Sequence, residues 1–171
     1  AVLAWALGRC ELPAYDHAVD LKKAVASVGL TDEFVLGTDT AAARKLIRAA
    51  KLRPACEIDR FASHITLVHW RLRTLRFTRD QNDESRLDTK RMDFAGYLRA
   101  HWSFKETWMQ GLRFVDEDLA IGKKAIGDAT AEAITECNDI TMERHIAAYW
   151  LQGDHKLYSK VDNPTLLFGL D

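Results

Sequence analysis

From Ile58 onward the apolar residues keep one helical beat for roughly five turns, and whatever this chain folds into is built around that segment. Ile58, Phe61, Ile65, Val68, Leu72 and Leu75 recur at spacings of three, four, three, four and three, the period of one helix face. Leu67, Trp70 and Phe77 form a second stripe beside the first. A helix apolar over so wide an arc is packed on more than one side. It is therefore predicted to be the central helix, with Pro54 placed in its first turn, where proline is tolerated.

The flanking sequence reads as further helices and one small β element. Ala1 to Leu7 looks like a helix already under way, ended by Gly8 and Pro13, and suggests a native chain that extends upstream. Residues 10–20 read as a polar connection, followed by a short amphipathic helix over Leu21–Val28 that Gly29 stops. Asp39 or Thr40 is placed to cap a helix over Ala41–Leu52. Residues 78–91 are polar and without period, so an exposed, flexible loop is expected there. Helix resumes over Phe94–Met109 in spite of Gly96, with Tyr97, Phe104 and Trp108 on a core-facing stripe. Leu112–Val115, Leu119–Ile121 and Ala125–Ile126, with Gly122 at a turn, predict a β-hairpin near residues 112–126. A long helix over Thr130–Leu151 ends at Gly153, and the Leu166-Leu167-Phe168 tail is expected to dock on the body. The predicted fold is mainly α (α+β), a multi-helix bundle-like single domain over residues 1–171 with one small hairpin.

Composition narrows the function classes. The chain has 171 residues, 47% hydrophobic and 29% charged, enough for one core without disulfides or metal. Its formal net charge is -1, which argues against electrostatic capture of nucleic acid or an anionic membrane. No apolar run reaches the ~18 residues of a membrane span. Cys10, Cys56 and Cys137 are far apart and odd in number, and read as free thiols in a reducing cytoplasm. No cofactor is implied: nucleotide-binding glycine loops, the GxSxG elbow and HExxH are all absent.

The residues that invite a chemical reading sit mostly in the last long helix. Its core stripe runs Ala133, Cys137, Ile140, Arg144, Ala147, Leu151, so Arg144 stands in a line of apolar residues. A guanidinium there needs a carboxylate or several carbonyls. Glu143 and His145 flank it, so a carboxylate, a cation and an imidazole fan across about half the helix. One account makes this a pocket, with Glu143 or His145 moving a proton and Arg144 holding an anion. The plainer account pairs Arg144 elsewhere, satisfies His145 in the interior and leaves Glu143 in solvent. His69 lies beside the central stripe and reads as a core-edge histidine. Arg71, Arg73, Arg76 and Arg79 look like a basic patch that the helix dipole already explains. Asp116 and Asp118 would share a strand face, or form a charged hairpin connection. No metal site is found.

Several of these residues carry a resemblance. Val115 through Gly122, Glu143 through Gly153, and Tyr158 through Asp162 with Thr165 resemble the bacterial domain-of-unknown-function family 4272. Leu52-Arg53-Pro54, Glu57, His69-Trp70-Arg71, Trp5 through Gly8 and Glu11 through Pro13 are similar to other segments of it. Lys123 stands where the family has a second glycine, and Arg71 where alanine is usual. The resemblance implies a mainly α fold with a small β part and brings no activity. It implies that Glu143, Arg144, His145, Trp150, Asp162 and His69 form one cluster, and leaves open whether that cluster holds the fold or a ligand.

The expectation is a soluble, non-enzymatic module that binds another protein, of the kind that neutralises a toxin or tunes a partner enzyme. The alternative is a small enzyme or anion-binding protein whose site gathers Glu143, Arg144 and His145 with Asp118, Asp162 and His69.

Overall fold

The computed structural model describes residues 1–29, 40–80, 92–101 and 106–161. In chain order these form α1 (Val2–Ala6), α2 (Leu21–Ser27), α3 (Thr40–Ala49), α4 (Ala55–Asp80), α5 (Phe94–Ala100) and α6 (Glu106–Met109). There follow strands β1 (Phe114–Val115), β2 (Asp118–Ile121) and β3 (Lys124–Ala125), and then α7 (Ala131–Gln152). Single 3-10 turns lie at Ile126–Asp128 and Tyr158–Lys160.

The central helix is α4, whose 26 residues give about 39 Å of length. Six consecutive positions, Leu67, Val68, His69, Trp70, Arg71 and Leu72, are all withdrawn from solvent. Burial on every side is what the two adjacent apolar stripes require. The helix runs on to Asp80, so residues 78–80, expected in the loop, are helical, and residues 81–91 lie outside those described.

Antiparallel to α4 runs α7. Gln152 donates to Asp59 at 2.9 Å near one end, and His145 meets Thr66 and His69 further along. The Thr130 hydroxyl caps α7 by accepting from Ala133 N–H at 3.2 Å, and Gly153 ends it at φ 88, a left-handed position suited to glycine.

The main core joins α4 residues to Phe94 and Leu98 of α5, Leu119 and Ile121 of β2, Ile126, Cys137 and Tyr15. A smaller cluster at the other end packs Val2, Trp5 and Ala6 of α1 on Ile58 and Ala147. Arg53 fastens that end. Its Nε donates to Trp5 O at 2.8 Å, its guanidinium reaches Glu11 and Glu57 at 2.6 and 3.1 Å, and its backbone N–H donates to Ala6 O at 2.7 Å. Helix α3 ends at Ala49 rather than Leu52, and Arg53, the residue before Pro54, stands outside helix as that position favours.

The β element is a three-stranded antiparallel meander, β1-β2-β3, in place of a single hairpin. Phe114 pairs with Leu119 and Val115 with Asp118; Ala120 pairs with Ala125 and Ile121 with Lys124. All four β2 residues are buried. Asp116 and Glu117 make the first turn at φ 49 and 62. Gly122 takes φ 62 in the second, so Lys123 fits where a second glycine was expected.

The unbroken helix expected over Phe94–Met109 is not formed. Asp93 caps α5 through Gly96 N–H at 2.6 Å, its carboxylate lying where a Cβ on residue 96 would come within 2.1 Å. After Ala100, His101 turns to an extended ψ of 103 and the helix stops. A short segment containing glycine has little helix propensity with which to continue. Trp102 and Phe104 lie outside the described residues, while Tyr97 and Trp108 pack on the core as expected.

Candidate functional site

Charged and polar groups buried between α4, α7, the sheet and the N-terminal loop form three centres. In the first, Arg144, only 5% exposed, lies beneath residues 13–17. Its Nη1 donates to the carbonyls of Pro13 and Ala14 at 3.2 and 3.1 Å, and Nη2 donates to that of His17 at 2.9 Å. The guanidinium is thus satisfied by several carbonyls and, among the described residues, by no carboxylate. Burial pulls its pKa below the ordinary value.

The same loop is tied to the sheet. Buried Tyr15 donates its hydroxyl to Ala120 O, and its ring lies under the Arg113 guanidinium at 5.4 Å. Asp16, side chain 1% exposed, pairs with Arg113 and accepts from Gly122 N–H and His17 Nδ1, each at 2.8 Å. Burial works to raise the Asp16 pKa, yet the hydrogen bonds from Gly122, His17 and Arg113 hold it below the usual carboxylate range. A segment that reads in sequence as a polar connection therefore sends a buried Tyr15 ring and the Asp16 carboxylate inward, while Pro13, Ala14 and His17 stay exposed. His64 packs near Tyr15, with 6.1 Å between ring centroids, and its buried Nδ1 has no hydrogen-bond partner among the described residues.

The second centre is an ion pair. Arg71 Nε donates to Asp118 Oδ1 at 2.7 Å and Nη2 to Oδ2 at 2.6 Å, with side chains 0% and 3% exposed. Asp118 also accepts the N–H groups of Met92 and Leu119 at 3.3 and 2.8 Å. Arg71 accordingly does not belong to a basic surface patch, and Asp116 lies in the exposed turn before β2 rather than on the strand that carries Asp118. A cavity of about 210 Å³ opens beside the pair, lined by Met92, Asp93, Asp116, Asp118, Ala125 and Asp128. Among the described residues no group of three His, Cys, Asp or Glu is arranged to hold a metal ion.

The third centre joins α4 to α7. His69 and His145, 3% and 2% exposed, face each other through Nδ1 atoms 3.1 Å apart, and His145 Nε2 lies 3.2 Å from Thr66 Oγ1. Thr66 spends its proton on Ala62 O at 2.9 Å, so its oxygen accepts from His145 Nε2–H. His145 Nδ1 is then the acceptor, and His69 Nδ1–H the donor. Burial, then the neighbouring His145 and Arg73, push the His69 pKa down to about 4. The His69 ring is therefore neutral at pH 7, and Tyr149 stands edge-on to His145 at 4.4 Å.

The expected single cluster is therefore divided. Arg144 serves the N-terminal loop, Asp118 serves Arg71, and His69 and His145 serve each other. Glu143 is exposed, and with burial it raises the pKa of Tyr158, whose ring stands edge-on to Trp150 at 6.0 Å. Asp162 lies outside the described residues. Cys137 is buried against Thr141 at 4.0 Å, and burial pushes its thiol up to about 11, which leaves it unreactive. No family model, curated protein or solved structure matches the chain.

Proposed function

We propose that this chain is a non-enzymatic module that works by binding another protein. One observation carries the reading: the buried ionisable groups with chemical potential are turned toward the chain itself. Arg144 donates to three backbone carbonyls, Arg71 to the Asp118 carboxylate, and His69 to His145. An anion-binding site at Glu143-Arg144-His145 would require the Arg144 donors that hold residues 13–17. Proton transfer by His145 would have to start from a ring only 2% exposed, and Glu143, the other candidate, is exposed with no buried partner set around it among the described residues.

The family resemblance belongs to the same proposal. Several residues that carry it, including Trp5, Leu119, Ala120, Ile121, Arg144 and His145, are interior contacts, which favours a shared fold over a shared reaction. A reducing, cytoplasmic setting also fits, since Cys10, Cys56 and Cys137 are free and Cys137 is buried. No described helix is long and apolar enough to cross a membrane.

The test is quantitative pull-down with the folded chain as bait, run beside the same chain unfolded by heat. Recovery of one protein near bait stoichiometry by the folded chain alone supports the reading. Repeated recovery of nothing above background contradicts it.

A further inference from the structure

The outward side of α7 carries a charge arrangement that the interior does not explain. Glu132, Glu136, Asp139 and Glu143 follow one another at spacings of four, three and four, and all four are exposed. None forms an ion pair among the described residues, and Arg144, the one basic residue of α7, is buried. Like charges at this spacing destabilise a helix by a few tenths of a kcal/mol per pair. Beside the ridge lies a shallow groove of about 550 Å³, lined by Ala18, Ala131, Thr135 and Ile140 with Glu132, Glu136 and Asp139. Its lining is apolar apart from Thr135 and those three carboxylates.

The complement is present on the same chain. Helix α3 exposes Arg44, Lys45 and Arg48, flanked by Ala41 and Ala49, and carries no acidic residue within Thr40–Ala49. Arg44 and Arg48 are one turn apart, as are Glu132 and Glu136, so about 6 Å of helix separates the charges on each side. A formal net charge of -1 hides this segregation and removes long-range repulsion between copies.

We propose that the α7 groove is a self-association surface, which receives the basic face of α3 from a second copy of the chain. Applied reciprocally, the contact is made twice about a two-fold axis and closes as a dimer. The inference stands on the charge layout alone and holds whether or not the chain has a further partner.

Charge reversal on the two faces tests it. Glu136→Lys with Asp139→Lys avoids the first turn of α7, and Arg44→Glu with Lys45→Glu avoids the last turn of α3, so neither pair opposes a helix dipole. Mass is read by sedimentation at about 0.01 M and about 1 M salt, where the Debye length is roughly 30 and 3 Å. The expected result is a wild-type dimer at low salt that dissociates at high salt, with each double variant monomeric in both. An equimolar mixture of the two variants restores a dimer at low salt, because each then offers the face the other lacks; restoration also shows that both are folded. A wild type that stays monomeric at low salt, or a dimer that survives both reversals, overturns the proposal.

Discussion

Arg71 of α4 and Asp118 of β2 meet as a two-bond ion pair, at 2.7 and 2.6 Å, with both side chains shut off from solvent. The pair locks the sheet to the central helix. Removing one member of such a pair strands a charge and costs about 3–5 kcal/mol, whereas replacing both with apolar residues is often neutral. Asp118→Ala is thus expected to lower the thermal midpoint by roughly 10 °C, at about 2–4 °C per kcal/mol for a chain of this size. Arg71→Met with Asp118→Leu should recover most of the loss. A double variant no better than Asp118→Ala would contradict this account of the pair.

His69 sets a pH dependence. Burial among Thr66, His145 and Arg73 lowers its pKa to about 4, against about 6.5 in the unfolded chain. Between those values the unfolded state binds more protons, so stability is full above about pH 6.5, declines as pH falls, and levels off below about 4. The expected contribution is roughly 3 kcal/mol, at about 1.4 kcal/mol per unit of pKa. Urea midpoints from pH 7 to 4 should fall for the wild type, and His69→Gln should flatten that part of the slope. An unaltered slope in the variant would assign the titration elsewhere.

Glu143 and His145, two residues apart, should behave oppositely. Glu143→Gln changes an exposed carboxylate and is expected to shift stability by no more than about 0.5 kcal/mol. His145→Ala opens a hole between α4 and α7 and takes the acceptor from His69 Nδ1–H, at a cost of about 2–4 kcal/mol. Thermal unfolding of the two variants side by side checks both expectations.

Tyr15→Phe removes a buried hydroxyl that bonds Ala120 O and leaves that carbonyl unsatisfied, for about 1–3 kcal/mol. Faster hydrogen exchange at residues 13–17 should accompany the loss, since the loop keeps Arg144 but loses one tie to the sheet. Exchange that stays slow there would mean that Arg144 alone holds the loop.

The frame was legible because its signals are local. The apolar beat from Ile58 to Leu75 and the glycine stops at Gly29 and Gly153 act within a few residues, and all survive in the fold. Arg144 was conspicuous because a charge in an apolar line must find a partner, although which partner it finds is a long-range matter. Its carbonyls come from residues 13–17, some 127 to 131 positions away. Arg71 was misread for the same reason: the arginines that follow it resemble a dipole-favoured helix end, while Asp118 lies 47 positions on. Tyr15 and Asp16 left no periodic trace, since single residues in a loop have none. The stop after Ala100 was invisible because the residues beyond it still read as helical, and the backbone turns at His101 to an extended ψ of 103.

The account's central claim is that the polar residues of the interior are kept to hold the fold, and thermal unfolding of Arg144→Met tests it most directly. Loss of three hydrogen bonds to Pro13, Ala14 and His17 carbonyls should cost about 3 kcal/mol and lower the midpoint by roughly 6–12 °C. A midpoint that is unchanged or raised would contradict the claim, marking Arg144 as a residue retained for a task at the expense of stability.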